Sequence, residues 1–172
     1  MGTVLEKGSP AEKRILLMSG AVALLVLALD LATKYWIVSA FELNESRELI
    51  PGILAFTSVR NYGAAWSILS GHGWLLLLFA LVVGGLLLFF FRSLCEGFAE
   101  RYFAVMLLFA GIIGNSCDRI FRGAVVDFIH VHWQNIWHYP VFNVADIAIC
   151  SAVGLFLISN FVRKPPEKSV EA

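Results

Sequence analysis

The residues best suited to chemistry in this chain are its four aspartates: Asp30, Asp118, Asp127 and Asp146. All four lie within or beside the longest apolar segments, whereas the nine glutamates lie near the chain ends or in polar connecting segments. An ionisable side chain in an apolar segment is energetically expensive and by default marks a functional site. We therefore begin from the aspartates.

Asp127 and Asp146 are the pair whose surroundings suit acid–base chemistry. Asp127 lies in the β-branched and aromatic run Val125–Ile129, and Asp146 follows Asn143 at the beginning of an apolar helix. Two carboxyl groups that meet in an apolar environment cannot both ionise, so they share one proton. Such a pair can take a proton from water and give one to a leaving amine, which is the chemistry of an aspartic peptidase.

Both aspartates also have a structural interpretation. Asn143 suits the N-cap position, so Asp146 in the first turn could serve only to complement the helix dipole. Taken alone, Asp127 is best interpreted as a salt-bridge partner of Arg119 or Arg122. We prefer the functional interpretation because two acids are predicted to meet in one apolar environment.

Two further motifs carry polar groups towards the same region. The segment Gly111–Arg119 closes an apolar helix with small residues, an amide, an acid and a base. Here we expect Asp118 to form a buried ion pair or amide network with Arg119, which could also hold a substrate carbonyl. Asn61 stands either in a hairpin turn or at a position that binds substrate backbone, and the sequence alone leaves both open.

His130 and His132 suggest a competing interpretation, a metal site. On a strand, the His-x-His spacing places both imidazoles on one face, and His72 or His138 could complete a set of zinc ligands. The same alternation places Asp127 on the opposite face, and the sequence contains no HExxH motif. We interpret these histidines as interfacial residues and expect no metal or other cofactor.

The composition places these residues in a membrane protein. Of the 172 residues, 59% are apolar and 15% are charged, with a mean hydropathy of +0.77. A soluble domain carries about 25% charged residues. Thirteen basic residues balance thirteen acidic ones, so no net field attracts nucleic acid.

Four segments are apolar and long enough to cross a bilayer, which takes about 20 residues. We predict one domain of 172 residues, all-α, with a small β-rich element on the outer face between the first and second helices. The predicted helices are about 15–38, 74–91, 102–118 and 143–162, the outer segments are 39–73 and 119–142, and a disordered tail covers 163–172.

The distribution of Lys and Arg predicts cytoplasmic termini, because the segments then inside hold eight of the thirteen basic residues. Counted from the Arg that marks the cytoplasmic end of each helix, Asp30, Asp118 and Asp146 are each 16 or 17 residues along the chain. At ~1.5 Å per residue they meet in the outer leaflet, just below the surface. A proton- or ion-coupled transporter is the alternative function, but the inner halves of these helices lack ionisable groups.

Five motifs, in order and spanning nearly the whole chain, resemble the bacterial signal peptidase II family, the lipoprotein signal peptidases. The motifs are Asp30–Lys34, Asn61–Ser67, Gly111–Arg119, Val125–Phe128 and Phe142–Asp146. The chain departs from the family pattern at Leu31, where Gln is frequent, and at Ser116–Cys117, where the pair is usually bulkier or more apolar.

The resemblance implies a four-helix enzyme of the bacterial cytoplasmic membrane with its active site on the periplasmic side. It would cleave prolipoproteins just before a Cys that carries diacylglycerol, with this substrate and membrane lipid as its partners, and we expect it to be a monomer. Asp127 and Asp146 match the catalytic pair. The residues that match the substrate-binding and supporting positions are Asp30, Asn61, Gly63, Gly111, Asn115, Asp118, Arg119, Asn143 and Ala145.

Overall fold

The computed structural model describes residues 4–63, 71–134 and 136–163. Two parts of the sequence prediction lie outside these residues. They are Ala64–Ser67, which belong to the second motif, and residues 164–172 of the tail.

The described chain is mostly helical, with one small antiparallel sheet, as the sequence predicts. The helices are α1 (Pro10–Ala40), α2 (Gly73–Phe89), α3 (Phe91–Cys95), α4 (Ala99–Arg122) and α5 (Val144–Val162). The strands are β1 (Ser46–Ile50), β2 (Leu54–Asn61), β3 (Val125–Trp133) and β4 (Trp137–His138).

Three of these helices, α1, α4 and α5, are long and apolar enough to cross a membrane. The fourth predicted span corresponds to α2, which is apolar but has only 17 residues. The outward faces are strongly apolar: Leu24 on α1 is 69% exposed and Phe79 on α2 is 68% exposed. Such faces are unfavourable in water and suited to lipid.

The sheet draws its strands from two distant connections, in the order β1-β2-β3-β4. The sequence prediction assigned the β element to the α1–α2 connection alone, and β1 and β2 do lie there. The other two strands come from the α4–α5 connection, where only a short extended stretch was expected. β3 pairs with the edge of β2, which gives partners to backbone groups that an isolated hairpin would leave unpaired.

Helix α4 packs against both α1 and α5, and two glycines permit the close approach. A Cβ atom at Gly111 would lie 2.6 Å from the carbonyl oxygen of Ala145. One at Gly114 would lie 2.5 Å from Oδ2 of Asp30. Any side chain at either position would force the helices apart.

A hydrophobic cluster ties the end of α1 to β3. Ile37 of α1 and Phe41, the C-cap residue that follows it, pack with Val126 and Phe128 of β3, and all four are buried. These two β3 residues flank Asp127, which is 2% exposed. The packing therefore fixes the strand that carries this carboxyl group.

Candidate active site

The beginning of α5 fixes Asp146. Asn143 is the N-cap, and its Oδ1 accepts a hydrogen bond from the Asp146 backbone N–H at 2.9 Å. Oδ2 of Asp146 accepts one in return from the Asn143 backbone N–H at 3.2 Å. Asp146 thus has the capping role of its structural interpretation, but its Oδ1 faces a different partner, the Asn115 side chain, at 2.8 Å.

Asp127 is held by two amides. Asn143 Nδ2 donates to its Oδ1 at 2.7 Å, and Asn61 Nδ2 donates to its Oδ2 at 2.9 Å. Asn61 is therefore a partner of Asp127, a role that neither of its two sequence interpretations included. Within the described part of the chain, Asp127 forms no salt bridge, so its structural interpretation as a partner of Arg119 or Arg122 does not hold.

The backbone joins the two carboxyl-bearing segments directly. Phe142, the residue before the N-cap, forms an antiparallel bridge with Ile129 of β3. Its carbonyl oxygen accepts hydrogen bonds from the N–H groups of Phe128 at 3.0 Å and Ile129 at 2.8 Å. The first turn of α5 is therefore attached to the strand that carries Asp127.

Asp127 and Asp146 both line one cavity of about 220 Å³. The cavity is large enough for several water molecules or a short segment of peptide. Its walls also include the polar residues Asn61, Asn115 and Arg119 and the apolar residues Val125, Phe142 and Ile149.

The environment of Asp127 favours its protonated form. Burial raises the pKa of this carboxyl to about 7, and the neighbouring Asp146 carboxylate adds to the rise. Hydrogen bonds from Asn61 and Asn143 oppose the rise, since they favour the charged form. A carboxyl with a pKa near neutrality can both hold and release a proton at physiological pH.

Asn115 on α4 connects this pair to a set of buried charges. While its Nδ2 donates to Asp146, its Oδ1 accepts from Asn143 Nδ2 at 3.1 Å and from Lys34 Nζ at 3.0 Å. Two donors on the oxygen fix the orientation of the amide, so its N–H group must point at Asp146.

Lys34 lies between two of the intramembrane aspartates and is fully buried. Its Nζ is 2.8 Å from Asp30 Oδ2 and 3.1 Å from Asp118 Oδ2. Arg122 pairs with Asp118 from the other side. The two cations balance the two carboxylates, as a charge cluster at this depth requires.

The same two carboxylates hold the backbone that carries the candidate pair. Asp30 Oδ1 accepts from the Ala145 N–H at 2.8 Å, next to Asp146. Asp118 Oδ2 accepts from the Val126 N–H at 3.1 Å, next to Asp127. The network therefore brings together the regions of all four aspartates.

The expected ion pair between Asp118 and Arg119 is wrong. Neighbouring residues on a helix point in different directions, so Asp118 finds its partner at Arg122, four residues on. Arg119 faces the cavity instead, and its Nη2 donates to the carbonyl oxygen of Gly63 at 3.1 Å. The structure therefore places Gly63 next to Arg119, which it contacts through its backbone carbonyl.

Lys34 was not among the predicted site residues, although it ends the Asp30–Lys34 motif. The signal that could have identified it was its spacing of four residues from Asp30, which puts both side chains on one helix face.

The histidines His130, His132 and His138 cluster on the sheet, with ring centroids 5.0 to 5.8 Å apart. Within residues 4–63, 71–134 and 136–163, no three His, Cys, Asp or Glu side chains converge on a point where a metal ion could bind.

Comparison with known proteins places the chain among membrane peptidases. A family model described as signal peptidase (SPase) II matches residues 22–162. The lipoprotein signal peptidase of Listeria welshimeri is 40% identical over 152 residues, which cover 87% of this chain and 97% of that protein. That of Haemophilus influenzae is 42% identical over 153 residues, which cover 83% and 86%.

Two solved structures share the fold, and both are described as bacterial membrane enzymes studied by the in meso method. The first, at 2.3 Å resolution, gives a TM-score of 0.80 at 35% identity, over 90% of this chain and 94% of the other. The second, at 1.9 Å resolution, gives 0.75 at 37% identity, over 86% and 94%.

Proposed function

The chain belongs to the signal peptidase II family, as its sequence motifs predicted, and from this membership we propose that it removes the signal peptide from diacylglyceryl-modified prolipoproteins. It is a multi-pass membrane peptidase. The cleaved bond is the one just before the lipidated Cys, and the active site opens to the periplasmic side of the bacterial cytoplasmic membrane.

The observation that carries an aspartic mechanism is that Asp127 and Asp146 line one cavity and are held there by amides. With a pKa of about 7, Asp127 is the member of the pair that supplies the shared proton. Asp146 takes a proton from water as the water oxygen attacks the scissile carbonyl carbon, and Asp127 gives its proton to the carbonyl oxygen. The tetrahedral intermediate then collapses: Asp146 protonates the leaving amine, and a hydroxyl proton returns to Asp127.

Arg119 supports this reaction as a substrate-binding group. Its guanidinium lines the same cavity and is already bonded to the Gly63 carbonyl. A planar donor set of this kind suits the carbonyl oxygens of an extended peptide.

The depth of the site accounts for a lipidated substrate. A diacylglyceryl anchor holds its peptide at the level of the membrane surface, next to a cavity that a peptide in free solution reaches poorly. The alternative function, a proton- or ion-coupled transporter, has less support. A transporter needs a polar path to both faces of the membrane, and this chain belongs to a family of peptidases.

The test is a pair of conservative substitutions, Asp127→Asn and Asp146→Asn. Asn has nearly the size of Asp but cannot accept a proton from water. We expect each variant to retain the fold and to lose cleavage of a diacylglyceryl-modified precursor by about a thousandfold or more, with the double variant little worse than either. The measurements are an electrophoretic cleavage assay and thermal unfolding in detergent.

Glu42→Gln is the matched control, since it neutralises an exposed carboxylate in the α1–α2 connection. It should cleave at the wild-type rate, and a metal chelator should leave the wild-type rate unchanged. Activity that persists in Asp146→Asn, or that the chelator abolishes, would refute the aspartic mechanism.

A further inference from the structure

Three histidines lie together on one face of the sheet, and nothing in the proposed peptidase reaction uses them. His130 and His132 alternate along β3, so both project from the same face. His138 on β4 is the cross-strand partner of His132. We propose that this cluster binds a divalent transition-metal ion of the zinc class, which the hydrolysis itself does not require.

Two of the imidazoles are already spaced as a chelating pair. His130 Nε2 lies 3.1 Å from His138 Nδ1. Zinc–nitrogen bonds of about 2.0 to 2.1 Å at a tetrahedral angle put two ligand nitrogens about 3.3 Å apart. A small rotation of each ring would therefore let an ion replace the proton that the two nitrogens now share.

Hydrogen bonding and burial prepare His130 as a ligand. Its Nδ1 lies 3.2 Å from the Thr57 hydroxyl, which leaves Nε2 facing His138. His130 is also partly buried, and the neutral form of its imidazole is the one that metal binding needs.

His132 supplies an independent observation, a buried ring nitrogen without a hydrogen-bond partner among the described residues. The atom is Nδ1, and the residue is 5% exposed. An unpaired polar atom at such a position costs free energy, which a bond to metal would recover. As the rings stand, three donors do not converge, so His132 must turn to become the third ligand. Glu48 lies 3.9 Å from its Nε2 and can orient the ring as it does so.

The position of the cluster gives the ion a structural role. The chain runs from His138 straight into Tyr139, Pro140 and Val141, which line the aspartate cavity. His130 is on the same strand as Asp127. An ion held by both histidines would tie β4 to β3 and so stiffen one wall of the cavity, whatever reaction takes place inside.

The experiment is a titration of the full chain with ZnCl2 by isothermal calorimetry, in detergent and without a polyhistidine tag. We expect one Zn²⁺ per chain in the wild type, and affinity weakened by at least about tenfold in His130→Ala and in His138→Gln. Zinc should also raise the thermal unfolding midpoint of the wild type and not that of the two variants.

His72→Ala is the matched control, because His72 is the N-cap residue of α2, lies outside the three-histidine cluster and is the one other histidine of the chain. It should bind zinc as the wild type does. The proposal is overturned if the wild type binds no zinc, if His130→Ala and His138→Gln bind it unchanged, or if His72→Ala loses it equally. None of these outcomes bears on the Asp127→Asn and Asp146→Asn test, so the two proposals fail separately.

Discussion

Asp127 and Asp146 differ from the other two aspartates in the chemistry of the groups that hold them. Asp30 and Asp118 contact the cation of Lys34, so their negative charge is compensated and their role is to hold structure. The candidate pair contacts neutral amides, which orient a carboxyl without fixing its charge. We therefore propose that the candidate pair takes part in proton transfer, whereas the ion-paired aspartates hold the structure.

The pKa of Asp127 predicts how cleavage depends on pH. Because the protonated form of the pair is the working state, the cleavage rate should fall as pH rises through about 7, by about tenfold per pH unit beyond it. Initial rates on either side of pH 7 with one precursor would test this. A rate that keeps rising well above pH 7 would contradict the assignment of the shared proton.

Protein stability gives a second measurement of the same group. The folded-state pKa of Asp127 is raised from 3.8 to about 7. The contribution of its protonated form to the stability of the fold is therefore fully present below pH 3.8 and is lost as pH rises through 7. Asp127→Asn does not titrate. We expect the unfolding midpoint of this variant, relative to the wild type, to increase between acidic and mildly alkaline pH, and a constant difference would contradict the raised pKa.

Residue type and spacing predicted much of the site, but not its charge pairing. Asp127 and Asp146 stand out because carboxyls are rare in apolar segments. The partner of Asp118 could not be predicted in the same way, because it depends on the rotation of α4 about its axis and on which face of α1 packs against α4. Lys34 reaches Asn115 across 81 positions of sequence, a contact that no local pattern encodes.

At the scale of elements, the site depends on α1, α4 and α5 meeting at small residues and buried charges. The cap of α1 illustrates how a boundary is misjudged. Ser9 accepts from the Glu12 N–H, and Pro10 follows it, so the helix begins five residues before the predicted 15. The apolar run in the sequence shows where the membrane span lies, whereas the capping residues show where the helix begins.

Removing the buried cation should destabilise the protein as a whole. Lys34→Met leaves Asp30 and Asp118 without their shared partner, at a cost of about 3 to 5 kcal/mol. We expect lower folded yield and a lower unfolding midpoint in detergent. Lys13→Met, at an exposed position near the start of α1, should behave like the wild type. Equal stability of the two variants would mean that the charge cluster does not hold the helices.

The close contact of α4 with α5 predicts a defect of geometry. A Cβ at Gly111 would lie 2.5 Å from Ile149 Cγ1 and 2.6 Å from the Ala145 oxygen, so Gly111→Ala must displace α5 beside Asp146. We expect cleavage to fall by more than about tenfold. Gly154→Ala is the control, because a Cβ there meets nothing within 4 Å. Full activity of Gly111→Ala would show that the helices can separate without harm.

At the scale of the whole molecule, the apolar composition indicated a membrane protein before any fold was known. The apolar helices were predictable because a membrane span needs about 20 apolar residues, and α1, α4 and α5 are long and apolar enough for one. The sheet was predictable only in part. β2 pairs with β3 over a separation of more than sixty residues, and a register between such distant segments is decided by tertiary packing.

The orientation of the molecule is directly testable. In a background that lacks the native cysteines Cys95, Cys117 and Cys150, single cysteines replace Ser93 on α3 and Ser46 on β1, both exposed. With cytoplasmic termini, an impermeant thiol reagent added to cells should label position 46 and spare position 93 until the membrane is opened. Labelling of position 93 from outside would reverse the orientation and place the cavity on the cytoplasmic side.

Asn143 has a consequence for how the protein tolerates different membranes. Its one side chain touches Asp127 through Nδ2 and the Asp146 backbone through Oδ1. The distance between the two acids is therefore set by one short side chain. For the same reason, β3 and the start of α5 should move together. Thicker or thinner lipid tilts transmembrane helices, but such tilting would carry both acids together. We therefore expect Asp127 and Asp146 to keep their relative positions when the lipid composition of the membrane changes.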